Sequence, residues 1–421
     1  MHTSFYWPAL TLALAITAHA DEVTPLLLNR LIQEAVTTHP SIKAAQARTQ
    51  AATSAIGAVR LWQDPQLGLG TLFGSRMSRQ VQGDVMASIN QMLPRPKLYQ
   101  AEKRRAVEDQ LTQVESRRQT ANELALSVAQ ATLELALADE VVRLQAENVG
   151  WLQMLVKTAE ERSKNPNASV TEPLRLESEL AVQIQMLESA RRMRTQYSTT
   201  LNLLLGRASD TPWPALALTG DAEQHPSAIA LKVRLERDNP QLAAMRHQIA
   251  GAQADADAAR EKRKPAFSVG VQVNTYSQGN SNDTMTMLTV GMTLPWFNRS
   301  VYKADIARAE SQRSAAQSDL AAEQRALHIK LTALLTEEEN NRRLADAYTN
   351  EVLPKTEKTV ETLENAWVSS RATLLDVLDA RRSLLQARLE QQRARASQHV
   401  ASQALTALTG NLVPASRNSL P

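Results

Sequence analysis

Two apolar rhythms alternate along the chain. The longer one repeats every seven residues: Val114, Ala121, Val128, Leu135, Val142, Val149 and Val156 form an unbroken series. Leu111, Ala125 and Ala146 occupy the partner position, which Arg118, Thr132 and Asp139 interrupt. Leu124, Ala131, Ala138 and Leu152 form a second apolar series on another face. One seam describes an ordinary coiled coil. Two seams rich in Ala suit a helix that touches neighbours on both sides, as in a curved wall or tube; an antiparallel bundle with one broad core also satisfies the pattern. The pattern predicts long helical stretches from Lys97 to Ser163 and from Val301 to Trp367, each ~100 Å if continuous.

The shorter rhythm has period two. It marks four strands: Leu67–Phe73, Asp84–Leu93, Ala266–Tyr276 and Thr284–Leu294. Val269, Val271 and Val273 alternate with Ser268, Gly270, Gln272 and Asn274, and the other strands divide in the same way. These lengths approach that of a tilted strand crossing a bilayer. Four strands are too few to close a membrane barrel, so a barrel would have to be shared between subunits. Trp62 precedes the first strand and Trp296 follows the fourth, which puts both at one membrane interface in an up-down-up-down arrangement. Two soluble hairpins capping a bundle are the plainer alternative.

The elements occur twice. His39-Pro40, Pro65 and Gly70 recur as Asn239-Pro240, Pro265 and Gly270 at an offset of 200; Leu93-Pro94 recurs at 201, and Glu172, Leu174, Leu180 and Gly206 recur as Asp376, Leu378, Leu384 and Gly410 at 204. The predicted organisation is therefore a first repeat over 21–206, a linker over 207–225, a second repeat over 226–410 and a tail over 411–421. Each repeat carries a helix broken at its proline, a β-hairpin (66–94 and 266–295) and a long helical hairpin (97–205 and 299–409). Residues 1–20 read as a signal peptide: an apolar run from Ala9 to Ala18 precedes the small-x-small site Ala18-His19-Ala20, although no Lys or Arg stands before Arg30.

Composition narrows the classes. The 421 residues include 16 aromatics, 13 Gly and no Cys, at a formal net charge of +3. Few aromatics and much Ala, Gln, Arg and Glu suit long helices. Without Cys there are no disulfides, thiolate metal sites or Cys nucleophiles. The balanced charge, with no long basic run, argues against nucleic-acid binding. The seven His residues are dispersed, without zinc spacing, and no phosphate-binding glycine loop occurs. Nothing points to an enzyme or to a cofactor.

The doubled helix–hairpin–long hairpin layout, Gln91-Met92-Leu93-Pro94, Met292-Thr293-Leu294-Pro295-Trp296-Phe297, Val352-Leu353-Pro354 and the run Thr373 to Arg381 together resemble the TolC-type outer-membrane efflux proteins. Asp64-Pro65-Gln66-Leu67 and the Met-bearing second strands are most similar to the heavy-metal, CzcC/CusC-type branch. The resemblance implies a mainly α fold with a small β part. Long antiparallel helical hairpins would form a periplasmic tunnel, and four strands from each subunit of a homotrimer would make a 12-stranded transmembrane barrel. The implied partners are a periplasmic adaptor, an inner-membrane pump of the RND type and outer-membrane lipid; the implied role is a passive conduit for heavy-metal cations. The sequence departs from the family at Trp367-Val368-Ser369-Ser370-Arg371, which lacks the glycine usual before the second tip, and at the lipidated Cys of some relatives.

Three residue groups are candidates for function. Met86, Met92, Met285 and Met287 fall on the polar sides of their strands, where thioethers facing a lumen would suit soft cations, or where Met simply fills space. Asn165, Asn167, Ser369, Ser370 and Arg371 sit at the two helical tips, the expected adaptor-docking region. Asp376, Asp379 and Glu172, with Arg381 and Arg382 nearby, would form charged rings in a trimer and act as a gate, or serve as helix-terminal acids. Two other roles remain: a general duct for drugs, organic solutes or type I secretion, and a non-channel periplasmic coiled-coil protein.

Overall fold

The computed structural model describes residues 21–76, 79–164, 171–218, 225–278, 281–369, 371–410 and 412–413. The signal segment, Asn165, Asn167, Ser370 and nearly all of the tail lie outside these residues. In chain order the elements are β1 (Asp21–Glu22), α1 (Pro25–Thr38), α2 (Pro40–Ala58), β2 (Gln66–Arg76), β3 (Arg79–Met92), α3 (Pro96–Ser163) and α4 (Thr171–Leu205). They continue with β4 (Leu216–Ala217), α5 (Ala228–Asp238), α6 (Pro240–Lys262), β5 (Phe267–Gln278), β6 (Ser281–Met292), α7 (Arg299–Ala347), α8 (Leu353–Val368) and α9 (Leu374–Leu408).

Local chemistry sets many of these boundaries. Thr24 caps α1, its Oγ1 accepting from Leu27 N at 3.2 Å, and Pro25 occupies the first turn where its missing N–H costs nothing. The chain is extended at His39 and Asn239 because a proline follows each, and Pro40 and Pro240 start new helices. Asn239 also caps α6 through Oδ1, which accepts from Leu242 N at 3.1 Å. The second long helical stretch differs from its expected continuity. A π-helical turn at Tyr348–Val352 separates α7 from α8, and Pro354, which has no N–H to donate, lies just beyond it. The strands also run further than the sequence pattern indicates: β2 continues past Phe73 to Arg76, β3 starts at Arg79, β5 continues past Tyr276 to Gln278 and β6 starts at Ser281.

The chain divides into two compact units, and both draw on both repeats. The first comprises residues up to 39, 124–225 and 333–407. In it Val128, Leu135, Val149 and Val156 of α3 are buried, and so are Leu124, Ala131, Ala138 and Leu152 of the second series. A core of Leu152, Val156, Leu176, Trp367, Leu374 and Leu378 joins α3, α4, α8 and α9 at the hairpin ends. β1 pairs in parallel with β4, which ties the segment after residue 20 to the inter-repeat linker.

The second unit comprises residues 40–123, 226–332 and 408 onward. It holds an antiparallel sheet in the order β2-β3-β5-β6, joined to the flanking helices α2, α6 and the first parts of α3 and α7. The repeats end alike: Gly206 and Gly410 follow α4 and α9 with φ of 74° and 76°. That conformation favours glycine. At Gly410 a Cβ would also stand 2.5 Å from the Asp238 carbonyl oxygen.

Candidate functional site

The sheet is the first candidate. Its register sorts the side chains into two faces. Leu67↔Ile89, Ile89↔Val271 and Val271↔Leu288 place apolar residues together, as do Ala87↔Val273 and Val269↔Val290. This apolar face is uncovered: Leu69, Leu288 and Val290 are 76%, 75% and 73% exposed. An exposed apolar face on every strand, with unpaired edges at β2 and β6, is a poor arrangement for a surface in water.

The opposite face is polar and crowded. Gly70, Met86, Asn274 and Met285 stand at one level; Gly68, Ser88, Gln272 and Met287 at the next; and Met92, Ser268 and Gly291 near the helical end. All four candidate methionines therefore share this face. Gln272 Nε2 donates to Asn274 Oδ1 at 2.9 Å. The glycines leave room for hydroxyls across the ladder. A Cβ on Gly68 would meet Ser88 Oγ at 2.7 Å, and one on Gly270 would meet Thr289 Oγ1 at 2.7 Å and the Ile89 carbonyl oxygen at 2.9 Å. Small residues on one face allow strands to curve toward it. Trp62 and Trp296 are exposed at the helical end of the sheet.

The tip of the first unit is the second candidate. Thr373 and Asp376 form a capping box: Asp376 Oδ2 accepts from Thr373 N at 3.1 Å and Oγ1 at 2.6 Å, and Thr373 Oγ1 accepts from Asp376 N at 3.3 Å. These bonds hold the Asp376 carboxyl below the usual carboxylate range. Glu172 is the first-turn acid of α4. Ser369 Oγ donates to the Asn365 carbonyl at 3.0 Å, and Arg371 N donates to Ala366 O at 2.7 Å, closing the end of α8 without the expected glycine.

Arg381 and Arg382 part company. Arg382 Nη2 donates to Glu179 Oε2 at 2.5 Å and Nη1 to Asp379 Oδ1 at 3.3 Å, linking α9 to α4. The guanidinium beside Glu179 holds that carboxyl below its ordinary value. Arg381 turns inward and touches neither candidate aspartate. It lies over the Trp151 ring, 4.9 Å from the centroid, and 3.8 Å from Glu147, and burial lowers its pKa. Arg381 therefore belongs to a network that sequence reasoning missed. Trp151 Nε1 donates to Glu364 Oε1 at 2.9 Å, and Arg388 bridges Glu147 and Glu357 at 2.7 and 2.9 Å. Arg162 completes the ties to α8, stacking on Trp367 at 4.4 Å. No local signal announces these contacts, since Trp151 and Glu364 are 213 residues apart.

Among the described residues no helix is long and apolar enough to cross a membrane, and no three His, Asp or Glu side chains cluster as metal ligands. The sequence pattern of the family described as "Outer membrane efflux protein" matches residues 31–207 and again 232–411, once in each repeat. The chain belongs to that family. Family membership places the protein in the outer membrane, in a class whose channels are not enzymes. The chain is 26% identical over 286 residues to the pyoverdine export outer membrane protein OpmQ of Pseudomonas putida, covering 66% of this chain and 60% of that one. It is 28% identical over 213 residues to the cobalt-zinc-cadmium resistance protein CzcC of Cupriavidus metallidurans, covering 51% and 48%. The matched segments thus span about half to three fifths of these curated relatives. Among solved structures, CusC superposes with a TM-score of 0.79 at 17% identity over 97% of this chain and 98% of its own. VceC of Vibrio cholerae gives 0.77 at 16% over 91% and 96%. The fold is thus that of the TolC-type channels: mainly helical, with packed long helices and one four-stranded antiparallel sheet.

Proposed function

We propose that the protein is the outer-membrane duct of a tripartite export system. Three copies would pair β6 of one with β2 of the next, closing a 12-stranded barrel and removing every open edge. The observation that carries this reading is the sheet itself: an uncovered apolar face of bilayer-crossing length, two unpaired edges and a crowded polar face that becomes the lumen. TolC-family proteins form trimers in tripartite systems, which supports the assembly. The test is cross-linking in mild detergent followed by planar-bilayer recording. Trimers that conduct support the reading; monomers without conductance overturn it.

The cargo we assign is soft heavy-metal cations. The likeness to the cobalt-zinc-cadmium resistance protein and the four methionines on the lumen-side face both favour it. The longer match to a pyoverdine exporter favours a small organic chelate as the second reading. A deletion strain challenged with copper, silver, cadmium and zinc salts and with organic toxicants separates the two. The energy would come from an inner-membrane pump of the RND type, coupled through a periplasmic adaptor that docks at the tips around Ser369 and Arg371 and around 165–170. Ser369→Glu with Arg371→Glu should abolish export while the trimer persists; intact export removes the tip assignment. Within the tip, Arg382 with Glu179 and Asp379 is the contact we assign to holding the closed state.

A further inference from the structure

At the helical end of the sheet the chain crosses four times, and the crossings touch. Gln91 Nε2 donates to the Gln63 carbonyl at 2.8 Å, Arg95 Nη2 to the Lys264 carbonyl at 3.4 Å, and Ala266 N to Thr293 Oγ1 at 2.8 Å. The entries to β2 and β5 and the exits from β3 and β6 therefore form one continuous band. The band is aromatic and exposed: Trp62, Trp296 and Phe297 are 54%, 53% and 78% exposed.

Its charge is one-sided. Segments 60–64, 93–99, 261–266 and 293–303 carry eight Lys or Arg against two acids, Asp64 and Glu261. Half of those cations have partners within the chain. Arg60 pairs with Asp64, Lys262 with Glu102 and Lys264 with Glu261, and Arg95 is held by backbone carbonyls. Lys97, Arg263, Arg299 and Lys303 are exposed and make no ion pair among the described residues. Helix stability does not account for Lys97 and Arg299. They stand in the first turns of α3 and α7, which contain no acid, where the helix field disfavours a cation. An external anion explains what the helices do not.

We propose that this band is a docking surface for anionic phospholipid headgroups. Lys97, Arg263, Arg299 and Lys303 would contact the phosphates, and Trp62 and Trp296 would sit at the headgroup level. The occupant follows from charge complementarity and from continuity with the exposed apolar face, since a headgroup lies where hydrocarbon gives way to water. The inference rests on the reading of the sheet as the membrane-crossing part. It gives the protein a leaflet-specific anchor built from side chains.

The test uses the full-length trimer transferred from detergent into vesicles of phosphatidylcholine alone or mixed with phosphatidylglycerol, with retained lipid counted by native mass spectrometry. Wild type should retain phosphatidylglycerol over phosphatidylcholine by about tenfold, less at high salt. Lys97→Gln, Arg263→Gln, Arg299→Gln and Lys303→Gln combined should bring the ratio near parity while the variant still inserts and conducts in phosphatidylcholine. Lys97→Arg with Lys303→Arg should keep the preference. Equal retention by wild type, or an unchanged ratio in the fourfold variant, overturns the inference and leaves the membrane reading intact. Loss of the preference to millimolar inorganic phosphate identifies a free-anion site and also overturns it. Failure of wild type to insert into either vesicle overturns both readings.

Discussion

Replacing Gly270 by alanine tests whether the polar face of the sheet is packed as tightly as its geometry indicates. A Cβ there would lie 2.7 Å from Thr289 Oγ1, 2.9 Å from the Ile89 carbonyl oxygen and 3.5 Å from Asn90 Cα. Carbon and oxygen in ordinary contact need roughly half an ångström more than the first two distances, and overpacking of this kind costs about 1–3 kcal/mol. Thr289 is a side chain and can rotate away. The Ile89 carbonyl belongs to the β3–β5 ladder and cannot move without disturbing it. Gly68 supplies the control: its Cβ would meet only Ser88 Oγ, at 2.7 Å. Gly68→Ala should therefore cost less than about 1 kcal/mol, and Ser88→Ala should restore it. Gly270→Ala should cost more, and Thr289→Ala should recover only part. The assay is the melting temperature of the detergent-solubilised protein, with cross-linking to count oligomers. Equal losses for Gly68→Ala and Gly270→Ala, or complete rescue by Thr289→Ala, would refute the argument that the backbone sets the limit.

Three further outcomes follow from the helices. Gly410→Ala should destabilise more than Gly206→Ala in denaturant titrations: both pay about 1 kcal/mol for positive φ, and only Gly410 also drives a Cβ into a backbone carbonyl. Glu179→Gln should lose up to about 1 kcal/mol at neutral pH, discounted because Arg382 is well exposed. The Glu179 carboxyl is depressed in the folded state, so this contribution is present above the ordinary carboxylate value of 4.5 and disappears as pH falls through the lower folded value. Thermal melts of wild type and variant should therefore converge in acid. Trp151→Phe keeps most of the ring under Arg381 but removes the donor to Glu364, which should cost about 1 kcal/mol in the same melts.

The parts legible in the sequence were those in which a single period fixes direction. Side chains on a strand must alternate, so Met86, Met92, Met285 and Met287 could be assigned to the polar face before any pairing was known, and the observed register keeps them together. Strand ends were less legible. Gly74, Ser75, Ser277 and Gln278 look like turn residues, but the antiparallel β2–β3 and β5–β6 pairings continue through them. The tip charges were read at the level of neighbourhood only. Arg381 and Arg382 are adjacent in sequence, yet the 100° step between helical neighbours points one at Trp151 and the other at Glu179. Their partners lie on other helices some two hundred residues away, so no local pattern could have separated the two. Asp376 is the opposite case. Its spacing from Thr373 is that of a capping box, so its helix-terminal role was visible in the chain.

The interruptions of the heptad seam show what those misfit residues contribute. Arg118, Thr132 and Asp139 stand where an apolar side chain would complete the partner position. Thr132 is fully buried and donates its hydroxyl to the Val128 carbonyl at 2.8 Å, so it remains in the seam without an unsatisfied group. Asp139 accepts from Arg194 and, at 3.0 Å, from Leu216 N. Arg194 in turn donates to the Trp213 carbonyl at 3.1 Å, which fastens the inter-repeat segment to α3 and α4. Arg118 pairs with Glu115 and donates to the Gly410 carbonyl at 3.3 Å, at the end of the second repeat. A helix with apolar side chains at all three positions would pack more strongly, but it would lose the Asp139 contacts to the linker and the Arg118 contact to Gly410, leaving Asn122, which accepts from Val413 N at 3.2 Å, to hold the end of the second repeat. Arg118 and Asp139 are thus points at which the long helix is tied to the end of the second repeat and to the linker, a directional task that apolar packing does not perform.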